Sequence, residues 1–114
     1  MRIAVIGSRS IGEIDFDLVG AKAGDVIVSG GAKGPDSLAE DAALVRGIPV
    51  IVYVPDYAKH GRAAPHVRNR TIARNCDRLV AFWDGRSRGT ISTVEMARRL
   101  GKPVQVITVQ SQNN

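Results

Sequence analysis

Three stretches of this 114-residue chain combine residue types that bind anions. They are Gly7-Ser8-Arg9-Ser10, Val28-Ser29-Gly30-Gly31-Ala32-Lys33-Gly34-Pro35-Asp36 and Asp84-Gly85-Arg86-Ser87-Arg88-Gly89-Thr90. Glycine leaves backbone N–H groups uncovered and tolerates φ > 0, so a Gly-rich turn converges donors on one anion. The second and third stretches each run into a helix-type pattern, whose N-terminus adds partial positive charge. This chemistry suits a phosphorylated ligand. Gly30, Gly31, Lys33 and Gly34 do not have the spacing of a G-x-G-x-x-G dinucleotide fingerprint. They also lack the G-K-[ST] ending of a P-loop, so ATP hydrolysis of that kind is not expected. Asp36 falls in the first helical turn, where it either complements the helix dipole or accepts a hydrogen bond from a ribose hydroxyl. Ser87 and Thr90 suit both a helix cap and a phosphate contact.

The charge is unevenly placed. Between Arg62 and Arg88 there are seven arginines and two aspartates, a balance of +5 that equals the net charge of the whole chain. Arginine makes bidentate contacts with phosphate; the plainer reading is a solvated helix face with a charged loop. Arg68 and Ile72 are four apart, which sets Arg68 over a partly apolar face. Arg70 and Arg74 form a like-charged i,i+4 pair, a repulsion that a nearby anion relieves. The expectation is that the fold brings this positive segment to the glycine turn. His60 and His66 have no Cys or third His near them, so neither a metal site nor a cofactor is expected. The single cysteine, Cys76, has no internal disulfide partner and reads as a buried small hydrophobe, consistent with a cytoplasmic location. Glu95 reads as a surface partner of Arg98 or Arg99.

These residues need a scaffold, and the apolar pattern supplies one. Strands are expected at Arg2–Ile6, Asp25–Val28, Ile48–Val54, Arg78–Trp83 and Pro103–Val109. Helices are expected at Ile11–Ala23, Pro35–Arg46, Pro65–Asn75 and Thr90–Leu100. Leu38, Ala42 and Val45 recur on one face of the second helix, with Ala39 and Ala43 beside them as small residues that would let it lie close to a sheet, and Ile91, Val94 and Ala97 share one face of the last. Pro55–Ala64 reads as a loop and Gln110–Asn114 as a polar tail that frays. Alternating strands and helices imply an α/β fold, a five-stranded parallel sheet with helices on both faces, in one domain over 1–114. Ligands of such sheets bind beyond the carboxyl ends of the strands, where the Gly-, Ser- and Arg-bearing loops fall. The longest apolar runs are too short to cross a bilayer, and Gly7–Ser10 cuts off any signal-peptide core, so no membrane association is expected.

Taken together these residues resemble the SLOG superfamily, and within it the YspA-like branch. The matching stretches are Gly7-Ser8-Arg9; Val28 to Asp36 with Ala39; Gly61-Arg62-Ala63-Ala64-Pro65 running into Arg68-Asn69-Arg70; and Ala81-Phe82-Trp83-Asp84-Gly85 with Ser87-Arg88-Gly89-Thr90. They occur in family order over most of the chain. The resemblance implies a Rossmann-like three-layer sandwich and a nucleotide or nucleotide-derived ligand at the carboxyl edge of the sheet. It implies no known reaction for this branch. The related cytokinin-activating phosphoribohydrolases carry an Arg-Lys pair where Arg68-Asn69 stands, and a Gly-Gly-x-Gly-Thr-x-x-Glu loop where Gly89-Thr90 stands. Thr93 occupies the position of their Glu; Glu95 lies two residues later, a rotation of roughly 200° about the helix. The DNA-processing A family, which binds single-stranded DNA, is similar at Val28–Asp36 and Ala42-Ala43-Leu44.

The expected ligand is a nucleotide held by Gly7, Ser8, Arg9, Gly30, Gly31, Lys33, Gly34, Asp36, Arg68, Asn69, Arg70, Asp84, Ser87, Arg88, Gly89 and Thr90. If an N-glycosidic bond is hydrolysed, Glu95 would stabilise the oxocarbenium-like state or activate water. The alternatives are a single-stranded nucleic-acid module and a non-catalytic interaction subunit. Few aromatic residues serve as stacking platforms for the former: Trp83, Tyr53 and Phe82 read as strand residues, and Tyr57 lies in a loop. For the latter, exposed sheet edges favour a homo-oligomer.

Overall fold

A computed structural model describes residues 1–110; beyond Gln110 the expected polar tail lies outside the described residues. The strands are β1 (Arg2–Gly7), β2 (Val26–Ser29), β3 (Val50–Val52), β4 (Arg78–Trp83) and β5 (Val104–Thr108). They form one parallel sheet in the order β3-β2-β1-β4-β5. Register sets Ile3 beside Ile27 and Arg78, and Gly7 beside Phe82. The helices are α1 (Pro35–Val45), α2 (Tyr57–His60), α3 (Ala64–Arg74) and α4 (Arg88–Arg99). None of the described helices is long and apolar enough to cross a membrane.

Side chains alternate across the sheet with period two, and the two faces build two separate cores. Ile3, Val5, Ile27, Val80 and Phe82 face one way and pack with Ala39 and Ala43 of α1 and with Ile11, Phe16 and Val19. Ala4, Ile6, Val28, Leu79 and Ala81 face the other way, against Ile72 and Ala73 of α3, Cys76, and Val94 and Ala97 of α4. The result is the expected Rossmann-like three-layer sandwich with helices on both faces. Cys76 is buried as expected.

Several local expectations need correction. Ile11–Ala23 is not a helix: only Phe16–Val19 makes a short 3-10 turn. Asp15 accepts a hydrogen bond from the Asp17 N–H, a local alternative to helical pairing, and Gly20 in the left-handed region ends the turn. The segment still covers its face with Ile11, Phe16 and Val19. In α1 the buried stripe is Ala39 and Ala43, while Val45 is 86% exposed. Alanines let the helix lie close to the sheet, and larger residues fall to its flanks. β3 spans three residues, not seven, the three that pair with Ile27, Val28 and Ser29 of β2. Pro55–Ala64 is not all loop: Asp56 caps α2 by accepting the Lys59 N–H, and Gly61–Ala63 continue as a 3-10 turn. α4 begins at Arg88 because Ser87 caps it, accepting the Thr90 N–H at 3.3 Å.

The close approach of α1 predicts asymmetric tolerance. Ala39→Leu should cost about 1–3 kcal/mol through overpacking, and Val45→Lys should stay within about 0.5 kcal/mol of the parent. Urea denaturation midpoints of both variants check this. A tolerated Ala39→Leu would contradict the packing.

Candidate functional site

The connections leaving β1 and β4 diverge at the carboxyl edge, and the crevice between them is where open α/β sheets take ligands. A cavity of about 420 Å³ opens there. Gly7, Arg9 and Ser10 line it from the loop after β1, Ala32 and Asp36 from the glycine turn and α1. Pro65, Arg68 and Asn69 line it from α3. Asp84 and Ser87 contribute from the loop after β4, and Gly89, Thr90 and Thr93 from α4.

Behind the cavity, both backbone polar groups of Gly30 are held by side chains. Its N–H donates to Asp36 Oδ2 at 2.9 Å, and its carbonyl accepts from Arg68 Nη1. Arg68 Nε donates to Asn69 Oδ1 at 2.7 Å, so the guanidinium is oriented by two bonds. Asp36 is therefore neither a plain dipole partner nor a free ribose acceptor; its first role is to clasp the turn. Burial pushes its carboxyl up to about 6, against the opposing pull of the Gly30 N–H and the Arg68 charge. Burial also lowers the Arg68 pKa, opposed by the Asp36 charge.

Asp84 is held differently. Its Oδ1 accepts the N–H groups of Arg86 and Ser87, each at 2.8 Å, and its Oδ2 accepts the Ser10 hydroxyl at 2.7 Å. The backbone N–H bonds from Ser87 and Arg86, then the Ser10 hydroxyl, lower its pKa to about 2. Ser8 is buried, and its hydroxyl accepts the Asp84 N–H at 3.1 Å and lies 3.4 Å from that of Thr90. It pins the two loops together beneath the cavity. Thr93, where a carboxylate stands in the phosphoribohydrolases, is buried and donates its hydroxyl to the Gly89 carbonyl at 3.0 Å.

The expected site residues thus separate into groups. Gly7, Arg9, Asp36, Arg68, Asn69, Asp84, Ser87, Gly89 and Thr90 meet on one cavity, with Ser8 and Gly30 behind it. Lys33 and Gly34 border an adjoining groove with Ser37, reached past Arg9 and Ser10. Gly31 is exposed, near Val52 and Val54. Arg70 is exposed on α3 and lies off the cavity. Arg88 and Glu95 border a separate hollow with Trp83. Ser10, Ala32, Pro65 and Thr93 join the cavity without having been singled out as ligand contacts. Ser10 and Ala32 sit inside stretches already read as anion-binding. Thr93 follows Thr90 by three residues, on the same helical face.

The positive segment does not converge as a whole. Arg74 lies at the opposite edge with Cys76, Asp77 and Lys102, and Arg78 donates to the Val19 carbonyl at 2.6 Å from the first residue of β4. A chain segment that runs down a helix and back up a strand delivers its charges to both ends of the sheet.

A profile of the family described as "YspA, cpYpsA-related SLOG family" matches residues 1–60. Among solved structures, DNA processing protein A (DprA) from Streptococcus pneumoniae is similar, with a TM-score of 0.77 and 26% identity. The similarity covers 98% of this chain and 52% of that one, so this chain spans about half the length of that protein. A comparison with curated proteins finds no match.

The two aspartates predict opposite pH effects. Asp36 starts from 3.8 in the unfolded chain and rises to about 6 on folding. Between those values the folded chain keeps a proton that the unfolded chain has lost, so its contribution falls as pH rises, by on the order of 3 kcal/mol. Asp84, lowered to about 2, stabilises above 3.8 and loses that contribution as pH falls toward its folded value. Denaturation midpoints measured from about pH 4 to pH 7 should decline less in Asp36→Asn than in the parent. An unchanged slope would assign the dependence to another group.

Proposed function

We propose, from the premise that this chain belongs to the YspA, cpYpsA-related SLOG family, that the cavity above β1 and β4 binds a nucleotide or nucleotide-derived ligand through its phosphate. One observation carries the reading: the placement of Arg68. Its guanidinium is half-buried and oriented by Asn69 and Gly30, on the same cavity as the first turn of α4. Among the described residues, ion pairs within 4 Å join only Met1 to Asp25 and Arg46 to Asp17, so no carboxylate neutralises it at that range. An oriented guanidinium beside a helix N-terminus favours a phosphate. A volume of about 420 Å³ accommodates a ligand of nucleotide size. Similarity to a DNA processing protein supports a ligand of the nucleotide class.

The reading is of binding. Hydrolysis of an N-glycosidic bond needs a carboxylate at the reacting carbon. Glu95 borders the other hollow, and the cavity's own Asp36 and Asp84 are engaged with backbone N–H groups. We therefore assign Glu95 no hydrolytic step.

Arg68→Ala should weaken binding of a 5′-nucleoside monophosphate by about 10- to 100-fold, the worth of a charge-assisted contact. Arg70→Ala should change it by less than about 2-fold, because that side chain lies off the cavity. Calorimetric titration reads both, with circular dichroism confirming the fold of each variant. Equal affinity in a folded Arg68→Ala would overturn the site.

A further inference from the structure

The cavity has a neighbour across Ser87, a residue that borders both spaces. This second hollow measures about 280 Å³ and is bordered by Trp83, Arg86, Arg88, Ile91 and Glu95. Trp83 ends β4, in register with Thr108 of β5, and its indole Nε1 donates to the Ser87 carbonyl at 3.1 Å. The ring is fixed by the sheet on one side and by the loop on the other, yet remains partly exposed. Arg86 and Arg88 border the same hollow and are exposed.

A fixed, partly exposed indole in a hollow that two arginines also border offers a stacking surface for a base and cations for its backbone. Glu95 adds an acceptor for an amino or imino group on a base edge. The sequence shows Trp83 as an ordinary strand residue; its position at the last register pair of β4 turns it into part of the carboxyl edge. We propose that this hollow takes a second nucleobase, joined through a phosphodiester to the nucleotide in the cavity, with Ser87 under the junction. The inference rests on the nucleotide reading of the cavity. The ligand is then a linear dinucleotide or the corresponding part of a single strand.

Trp83 is the only tryptophan in the chain, so its fluorescence has a single source, at this hollow. The probes are ribose 5-phosphate, a 5′-mononucleotide, a 5′-phosphorylated dinucleotide and an octanucleotide, each followed by calorimetry and by tryptophan emission. The mononucleotide should bind with little quenching. The dinucleotide should bind about tenfold tighter and quench strongly, as one added stacked base implies. A further gain with the octanucleotide identifies a strand, and a plateau at the dinucleotide a small ligand; both support the subsite. Trp83→Phe should keep the advantage of the dinucleotide and Trp83→Ala should narrow it. A dinucleotide that binds no tighter than the mononucleotide, without quenching, overturns the second base and leaves the cavity reading intact. So does a mononucleotide that quenches as strongly as the dinucleotide. If no probe binds, the cavity reading fails as well.

Discussion

The carboxyl edge depends on the backbone of one residue, Gly30. Its N–H is taken by the Asp36 carboxylate and its carbonyl by the Arg68 guanidinium. Those two side chains come from α1 and α3, on opposite faces of the sheet, so a single residue just past the end of β2 ties all three layers together. The arrangement requires glycine for room and not for an unusual φ. A Cβ at this position would meet Arg68 Nη1 at 2.6 Å and Asp36 Oδ2 at 2.9 Å. Burying a carboxylate and a guanidinium is costly unless each finds hydrogen bonds. The clasp supplies them, and in doing so it leaves both groups on the wall of the cavity.

The loops after β1 and β4 are fastened to each other by the same logic. Ser8, Ser10, Asp84 and Thr90 form a set of contacts whose members face inward or toward each other. Gly7 permits the floor to be this tight: a Cβ there would fall 2.4 Å from the Pro35 ring and 2.5 Å from the Phe82 carbonyl. The Pro35 ring at the start of α1 and the Phe82 carbonyl at the end of β4 thus close directly on the backbone at the end of β1. A site built this way is pre-organised, so a ligand finds its donors already oriented.

Much of this was legible in the chain itself. Alternating apolar runs set the strand count and the parallel sheet, and the glycine-, serine- and arginine-bearing loops fell at one edge because βα connections all emerge there. What was not legible follows from physics that short-range patterns do not carry. The helix expected over Ile11–Ala23 lost to a local Asp15 hydrogen bond and to Gly20. The buried stripe of α1 went to Ala39 and Ala43 because close contact with a sheet favours small residues over Leu38 and Val45. Arg68 and Arg70 both read as phosphate contacts, yet two positions around a helix separate a wall of the cavity from open solvent. The clasp on Gly30 links residues 38 apart and has no signature in local spacing.

Asp36 carries a consequence beyond stability. With its carboxyl near 6, it changes charge in the range where phosphate monoesters also change theirs. A phosphorylated ligand seated on the same cavity places negative charge near this carboxyl, and like charges disfavour the ionised form. On the proposed reading, such a ligand and the Asp36 proton would favour each other's binding by the same factor in either direction. Through Asp36, the cavity would then hold the proposed ligand more firmly as its surroundings turn acidic.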